Sequence, residues 1–195
     1  MLVLIQARTS SKRFRNKVLK CFYEKPLILH VVDKIKKSKK VKIVVSTSKK
    51  KDDHKLIKIL SKNKIKYYQG SLNNVAKRLY DTAKFEKQDV FLRISADSPL
   101  IDYRIINKSI NIFKKNKNFD LITNIFPKTF PSGQSVEIIK TNLLGKNLKF
   151  FSKLDKEHVT RYFYRNFSRF KIKNFKNKIN DNKKKLSVDT PQELK

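Results

Sequence analysis

Short apolar runs alternate along this chain with segments of helical period, and that alternation limits its fold more than any other feature. MLVLIQA (1–7), VKIVVSTS (41–48), IKYYQ (65–69), VFLRIS (90–95) and FDLITNIF (119–126) are rich in Val, Ile, Leu, Phe and Tyr and read as strands. Between them lie LILHVVDKIKK (27–37), DHKLIKILSK (53–62), NNVAKRLYDTAK (73–84) and YRIINKSINIFKK (103–115). There apolar residues recur three and four apart, as in Ile28, Val32 and Ile35 or Leu56, Ile59 and Leu60. Strand–helix–strand repetition folds as right-handed crossovers into a mostly parallel sheet with helices on both faces. Near-continuous apolar strands such as MLVLI fit burial on both sides.

Past residue 127 the rhythm changes. FPKTFPSGQSVEIIKT reads as a loop and a strand, followed by helices near 141–152 and 156–166 and a strand at 169–175. LSVDTPQELK is expected to be a strand turning into a helix with Pro191 at its first position. The expectation is one α/β domain carrying a smaller irregular α+β lobe, a size at which a single core suffices.

The net charge of +32 points to an anionic partner, and phosphate-bearing ligands come first. The lysines are dispersed (KIKKSKK, KKKDDHK, KKNKN, NFKNK), however, and abundant Lys, Asn and Ile beside only three Gly read as the drift of an AT-rich genome. A nucleic-acid footprint is a patch, so a dedicated nucleic-acid binder is the weaker reading. No apolar run approaches the roughly 18 residues of a membrane span, and MLVLI is too short for a signal-peptide core. The lone cysteine, Cys21, excludes an internal disulfide and suits a reducing compartment, so a cytoplasmic protein without a membrane partner is expected. Cys21 itself is expected to be a buried or half-buried small hydrophobe.

Ligands of open parallel sheets bind at the carboxyl ends of the strands. The segment after the first strand, QARTSSKRFRNKVL (6–19), carries Arg8, Lys12, Arg13, Arg15 and Lys17 around Thr9, Ser10 and Ser11. Hydroxyls and backbone N–H groups there can donate to phosphate oxygens, and Arg8 and Arg13 offer planar forks for bidentate contact. It is neither a P-loop nor a dinucleotide fingerprint. In RISADSPLID (93–102), Asp97 falls just past the fourth strand, while Asp102 suits the N-cap of the next helix. In SVDTPQEL (187–194), Thr190 and Pro191 suit a helix start and leave Asp189 outside it. Each aspartate reads either as a Mg²⁺ ligand or as a turn carboxylate bonding its own backbone. His30, His54 and His158 lack zinc-ligand spacing; His30 reads as packing, His54 as solvent-facing. Glu157 and Arg161 are spaced as an ordinary helical ion pair or as substrate ligands.

QARTSSKRFRNKVL, YYQGSLNNVAKRLYDTA, RISADSPLID, FPSGQSVEII, KEHVTRYFYRN and LSVDTPQEL stand in the order seen in one family. The chain resembles the SpsF-like and acylneuraminate cytidylyltransferases over residues 2–194, with the 3-deoxy-manno-octulosonate cytidylyltransferases as more distant relatives. The resemblance implies a Rossmann-like nucleotide-diphospho-sugar transferase fold, with CTP and an acylneuraminate-like sugar acid as substrates, CMP-sugar and pyrophosphate as products, and Mg²⁺ as cofactor. It also implies residues 1–126 as nucleotide-binding core, 127–183 as a sugar-side lobe through which homodimers form, and 184–195 as a final strand and metal-binding turn.

Carried over by position, Arg8, Ser10, Ser11, Arg13 and Lys17 match the nucleotide loop, and Gly70, Ser71 and Arg78 the segment near nucleotide and sugar. Asp97 and Asp189 match the metal pair, while Glu137, Glu157 and His158 match the sugar side. Catalysis by positioning and charge would fall to Arg8, Lys17 and Asp97. Phe14-Arg15-Asn16 replaces the family's Leu-Pro-Gly turn, so Asn16 is expected to supply the positive φ. Asn73, Asn74 and Ser135 stand where acidic residues are common, and the chain ends soon after the VDTP turn, which predicts a short final helix. Within the enzyme class the rival is another sugar nucleotidyltransferase or another nucleotide base, and the competing class is an RNA- or polyanion-binding module on an inactive transferase scaffold.

Overall fold

The structure, a computed structural model, describes residues 1–11 and 13–194; Lys12, one of the loop's cations, and Lys195 lie outside the described residues. Strand β1 (Leu2–Gln6) opens the chain and runs into the basic loop. A two-residue hairpin, β2 (Cys21–Phe22) and β3 (Lys25–Pro26), then leads into α1 (Leu27–Lys36). The alternation continues with β4 (Lys42–Ser48), α2 (His54–Lys62), β5 (Tyr67–Gly70), α3 (Val75–Phe85), β6 (Val90–Ser95), α4 (Tyr103–Lys115) and β7 (Leu121–Thr123). The remainder supplies β8 (Glu137–Lys140), α5 (Thr141–Asn147), α6 (Lys153–Glu157), α7 (Arg161–Arg165) and β9 (Ile172–Asn174).

Seven strands form one sheet in the order β5-β4-β1-β6-β8-β7-β9. β1 pairs in parallel with β4 and β6, and β4 with β5, whereas β8 runs antiparallel to both β6 and β7. The fold is therefore the mostly parallel, Rossmann-like α/β sheet expected of nucleotidyltransferases. Residues 127–183 add two strands, β8 and β9, to this same sheet.

Strand alternation divides the core. Val3 and Ile5 face α1, α2 and α4 on one side, with Ile28, Val32, Leu56, Leu60 and Ile106. Leu2 and Leu4 face α3, α5 and the α6–α7 region, with Leu79, Leu144, Val159 and Phe163. Two side chains start helices as the physics of caps requires. Asp102 accepts from Arg104 N at 2.8 Å before α4, and Asn74 accepts from Lys77 N at 2.9 Å before α3.

The sheet is wound outward from β1 to β4 and β5, and the chain then returns to place β6 on the other side of β1. Between β1 and β6 the winding reverses, which is where a crevice opens at the strands' carboxyl ends. The basic loop after β1 and the Asp97 turn after β6 flank that crevice.

Several expectations are corrected. The span 141–152 is not one helix. α5 ends at Asn147, a 3-10 turn follows at Leu148–Phe150, and Phe151 is extended. A capping box then restarts the chain as α6: Ser152 accepts from Asp155 N, and Asp155 accepts from Ser152 N and Oγ. The span 156–166 is likewise broken, because His158 leaves helical geometry between α6 and α7. LSVDT is not a strand. The residue before it, Lys185, makes an isolated bridge to Ser132, and Pro191–Leu194 form a 3-10 turn after it. Cys21 is exposed rather than buried, because the hairpin that carries it is too short to be covered by a core.

Candidate active site

The loop after β1 is held by a buried carboxylate. Asp53 accepts from Thr9 N at 2.7 Å and Thr9 Oγ1 at 2.6 Å, and also from Ser48 N and Oγ. Burial pushes its carboxyl up, but the hydrogen bonds from Ser48 and Thr9 outweigh burial and hold it below the ordinary range. The far end of the loop closes through Asn16, whose N–H donates to Thr9 O at 2.8 Å and whose φ is 59°. Asn16 thus takes the left-handed conformation expected of it.

This clamp sets Arg8, Ser10, Ser11, Arg13 and Lys17 into the wall of a cavity of about 890 Å³ at the carboxyl ends of β1 and β6. Asp97, Asp189, Arg78, Glu157 and His158 line the same cavity. Arg8, Arg13 and Lys17 are engaged by carboxylates. Arg8 Nη2 donates to Glu157 Oε1 at 2.6 Å, and Arg13 Nη2 to Asp189 Oδ1 at 3.0 Å. Lys17 Nζ lies 2.7 Å from Asp97 Oδ2 and 3.0 Å from Asp189 Oδ1, and also donates to Val188 O. Burial pushes the Asp189 carboxyl up, but Lys17 beside it, helped by Arg13 and Lys185, brings it below the ordinary range.

The VDTP turn reaches the site because backbone bonds tie it down. Val188 N donates to Asp97 O at 2.9 Å, and Leu186 N to Ser132 O at 2.8 Å. Gly133 makes this possible: its φ is +88°, and a Cβ there would lie 2.7 Å from the backbone of Leu186 and Ser187.

Arg78 is buried beneath the cavity. Its Nη1 donates to Ser71 O at 2.7 Å, while Nε has no hydrogen-bond partner among the described residues. Burial pulls its guanidinium down to about 10, with Asp53 opposing the shift. Gly70 and Ser71 are absent from the cavity lining and touch this arginine instead. A Cβ on Gly70 would meet Arg78 Cγ at 2.8 Å, and the Ser71 carbonyl fixes the guanidinium.

A second cavity, of about 660 Å³, adjoins the first and shares Arg93, Ser95, Asp97 and His158 with it. Ile125, Phe126, Lys128, Tyr164, Arg161 and Arg165 line its far side. Arg161 and Arg165 both donate to the buried Asp155, at 3.1 and 2.6 Å, so Arg161 is engaged there rather than as the spacing to Glu157 suggested. Glu137 stands in this second wall, and its oxygens accept from Arg93 Nη1 and from the Tyr164 hydroxyl. Burial and the neighbouring Glu137 carboxylate push the Tyr164 hydroxyl well above its ordinary range.

Sequence reading missed Asp53, Arg93 and Tyr164 as parts of this site. An arginine inside the apolar run VFLRIS was the visible signal for Arg93. Asp53 gave none, because its partners lie on two other segments.

The switch-point crevice and its polar, two-chambered wall define a nucleotidyltransferase-type protein. The chain belongs to the cytidylyltransferase family, whose model matches residues 2–195. It is 36% identical over 171 residues to an uncharacterised protein of Methanocaldococcus jannaschii, covering 87% of this chain and 69% of that one. It is 27% identical over 170 residues to the spore coat polysaccharide biosynthesis protein SpsF of Bacillus subtilis, covering 83% and 69%. The 3-deoxy-manno-octulosonate cytidylyltransferase of Fusobacterium nucleatum is 30% identical over 122 residues, 63% of this chain and 49% of that enzyme. Among solved structures, a cytidylyltransferase from Leptospira borgpetersenii serovar Hardjo-bovis superposes with a TM-score of 0.94 at 31% identity, covering 98% of this chain and 82% of that one. No helix among the described residues is long and apolar enough to cross a membrane.

Proposed function

We propose that this protein transfers CMP from CTP to a hydroxyl of an acylneuraminate-like sugar acid, releasing pyrophosphate, in the cytoplasmic synthesis of a surface polysaccharide or glycan. One observation carries the reading: two cavities meet at Asp97, one walled by the cationic loop and the other large enough for a sugar. The acceptor chamber bears Arg93, Lys128, Arg161 and Arg165 against the carboxylates of Asp97, Glu137 and the buried Asp155, and the remaining positive balance favours an acid over a neutral sugar. The relatives' printed roles, in spore coat polysaccharide biosynthesis and as a 3-deoxy-manno-octulosonate cytidylyltransferase, support the same class.

Arg8, Arg13, Ser10 and Ser11 would take the triphosphate oxygens, and Arg78 would set the floor beneath the nucleotide. His158, shared by both chambers, with Glu137 behind it, would orient the acceptor, and Glu157 would hold Arg8 from the edge of the nucleotide chamber. Bringing two reactants into one crevice removes most of the entropic cost of their encounter, and fixed cations stabilise charge developing on the phosphates.

A magnesium ion fits the residues present. Asp97 and Asp189 both reach one ammonium, so their oxygens converge on a single cation position, and hard oxygen donors suit Mg²⁺. Among the described residues no third carboxylate, histidine or cysteine joins them, so phosphate oxygens and water would complete the set. Bound there, Mg²⁺ would supply positive charge against the phosphates, and Lys17 would transfer its own contact to them. Exposed Phe150, Leu154 and Phe167 on the 127–183 segment would be covered in a homodimer through that lobe. Pyrophosphate release from CTP, measured with a panel of sugar acids, tests the reading.

A further inference from the structure

β6 carries an arginine where its neighbours are apolar: Phe91, Leu92 and Ile94 are buried, and Arg93 lies between them. Arg93 stands directly opposite Glu137 in the β6–β8 ladder. Its Nη1 donates to Glu137, its Nε donates to Gln6 Oε1 at 2.8 Å, and only 16% of its side chain is exposed. The second Glu137 oxygen accepts from Tyr164 Oη at 2.6 Å, and Tyr164 is bonded in turn to Thr123 Oγ1 at 2.8 Å.

An ion pair in the middle of a sheet carries a desolvation cost that an apolar cross-strand pair avoids. Here the pair stands where the two cavities share a wall. Arg93, Ser95 and Asp97 alternate along the strand and its continuation, so they present one face to both chambers. Both Glu137 oxygens are engaged, so this carboxylate is committed to the guanidinium and the phenol. A guanidinium has five N–H donors, and the Gln6 and Glu137 bonds use two of them.

We propose that Arg93 is a catalytic residue, contacting the α-phosphoryl group as it passes between the chambers, and that Gln6, Glu137 and Tyr164 are positioning residues that hold it. The assignment rests on the cytidylyl-transfer reading above. In the step, an acceptor hydroxyl oxygen bonds to the α-phosphorus. The bond from that phosphorus to the bridging oxygen breaks, its electron pair leaves with pyrophosphate, and the hydroxyl proton passes to solvent. Negative charge on the non-bridging α-oxygens is what a fixed, nearly buried guanidinium stabilises. Glu137 is then removed from direct contact with the sugar.

The test is steady-state kinetics of the full chain with CTP, Mg²⁺ and a panel of acceptors that includes N-acetylneuraminate and 3-deoxy-manno-octulosonate. In Arg93→Gln and Arg93→Lys, kcat is expected to fall about 10²–10³-fold with KM for CTP changed by less than about threefold. Guanidinium ion added to Arg93→Ala is expected to restore part of the lost rate, which a purely structural role would not allow. Tyr164→Phe keeps the ring and is expected to lose about tenfold in kcat. A folded Arg93→Lys with kcat near wild type, or losses that guanidinium never relieves and that track a lowered Tm, would overturn the assignment. No release by the wild-type protein with any acceptor would overturn the functional reading and this assignment together; release by wild type with indifferent variants overturns this assignment alone.

Discussion

The Lys17 ammonium lies 2.7 Å from the Asp97 carboxylate, and Asp189 approaches the same nitrogen at 3.0 Å. The cation that would serve the triphosphate thus bridges the two carboxylates that would hold Mg²⁺. Asp97→Asn is expected to lower kcat by about 10²–10³-fold while retaining part of the CTP affinity, because it would weaken the proposed metal site and leave the cations of the basic loop in place. Steady-state kinetics beside a CTP titration checks this, and full turnover by the variant would remove the metal assignment.

Lys17→Met removes the internal counter-ion. Mn²⁺ binding to the nucleotide-free protein is then expected to tighten by roughly tenfold, since the carboxylates no longer share an ammonium. Turnover is expected to fall in the same variant. A Mn²⁺ titration followed by electron paramagnetic resonance separates the two effects; unchanged Mn²⁺ affinity would contradict the geometry.

The Asp53 clamp is a stability device with a defined pH signature. Asp53→Ala strands buried donors on Thr9 and Ser48 and is expected to destabilise the fold by about 1–3 kcal/mol. The hydrogen bonds from Ser48 and Thr9 hold its carboxyl below the ordinary aspartate range in the folded protein, so its stabilisation is complete above that range and is lost as pH falls through the folded pKa. Urea midpoints compared with Asp53→Asn between pH 6 and pH 3 should therefore converge only at the acid end.

Gly133 lets the turn at 132–134 pack against the backbone that leads to Asp189. Gly133→Ala places a Cβ 2.7 Å from the Leu186 backbone at a φ of +88°, so it is expected to destabilise by more than about 1 kcal/mol. Because the same backbone carries Asp189, the Mg²⁺ concentration giving half-maximal turnover should rise as well. A variant with wild-type Tm and metal requirement would show that the turn is not held this way.

Much of this was legible in the sequence because it rests on local chemistry. The alternation of apolar strands with helices of 3.6-residue period gave the parallel half of the sheet, and it brought Asp97 beside the first loop. Asn16 was readable as the left-handed residue because few side chains other than glycine tolerate that backbone. What escaped was set by contacts distant in sequence. Asp53 follows a lysine run and looks solvated, yet it bonds Thr9, 44 residues away on the first loop, as well as the nearby Ser48. Glu137 read as a sugar ligand, but its oxygens are taken by Arg93 on the adjacent strand and by Tyr164 on α7. The helix expected over 156–166 is interrupted at His158, which follows the short helix opened by the Ser152–Asp155 box.

The most direct test of the central claim is pyrophosphate release from each of the four nucleoside triphosphates, with Mg²⁺ and a panel of sugar acids including acylneuraminates. The account predicts release with CTP and one acid, abolished by EDTA. Silence across the panel, with tight and salt-sensitive RNA binding by the same preparation, would contradict it and return Asp97 and Asp189 to the role of turn residues.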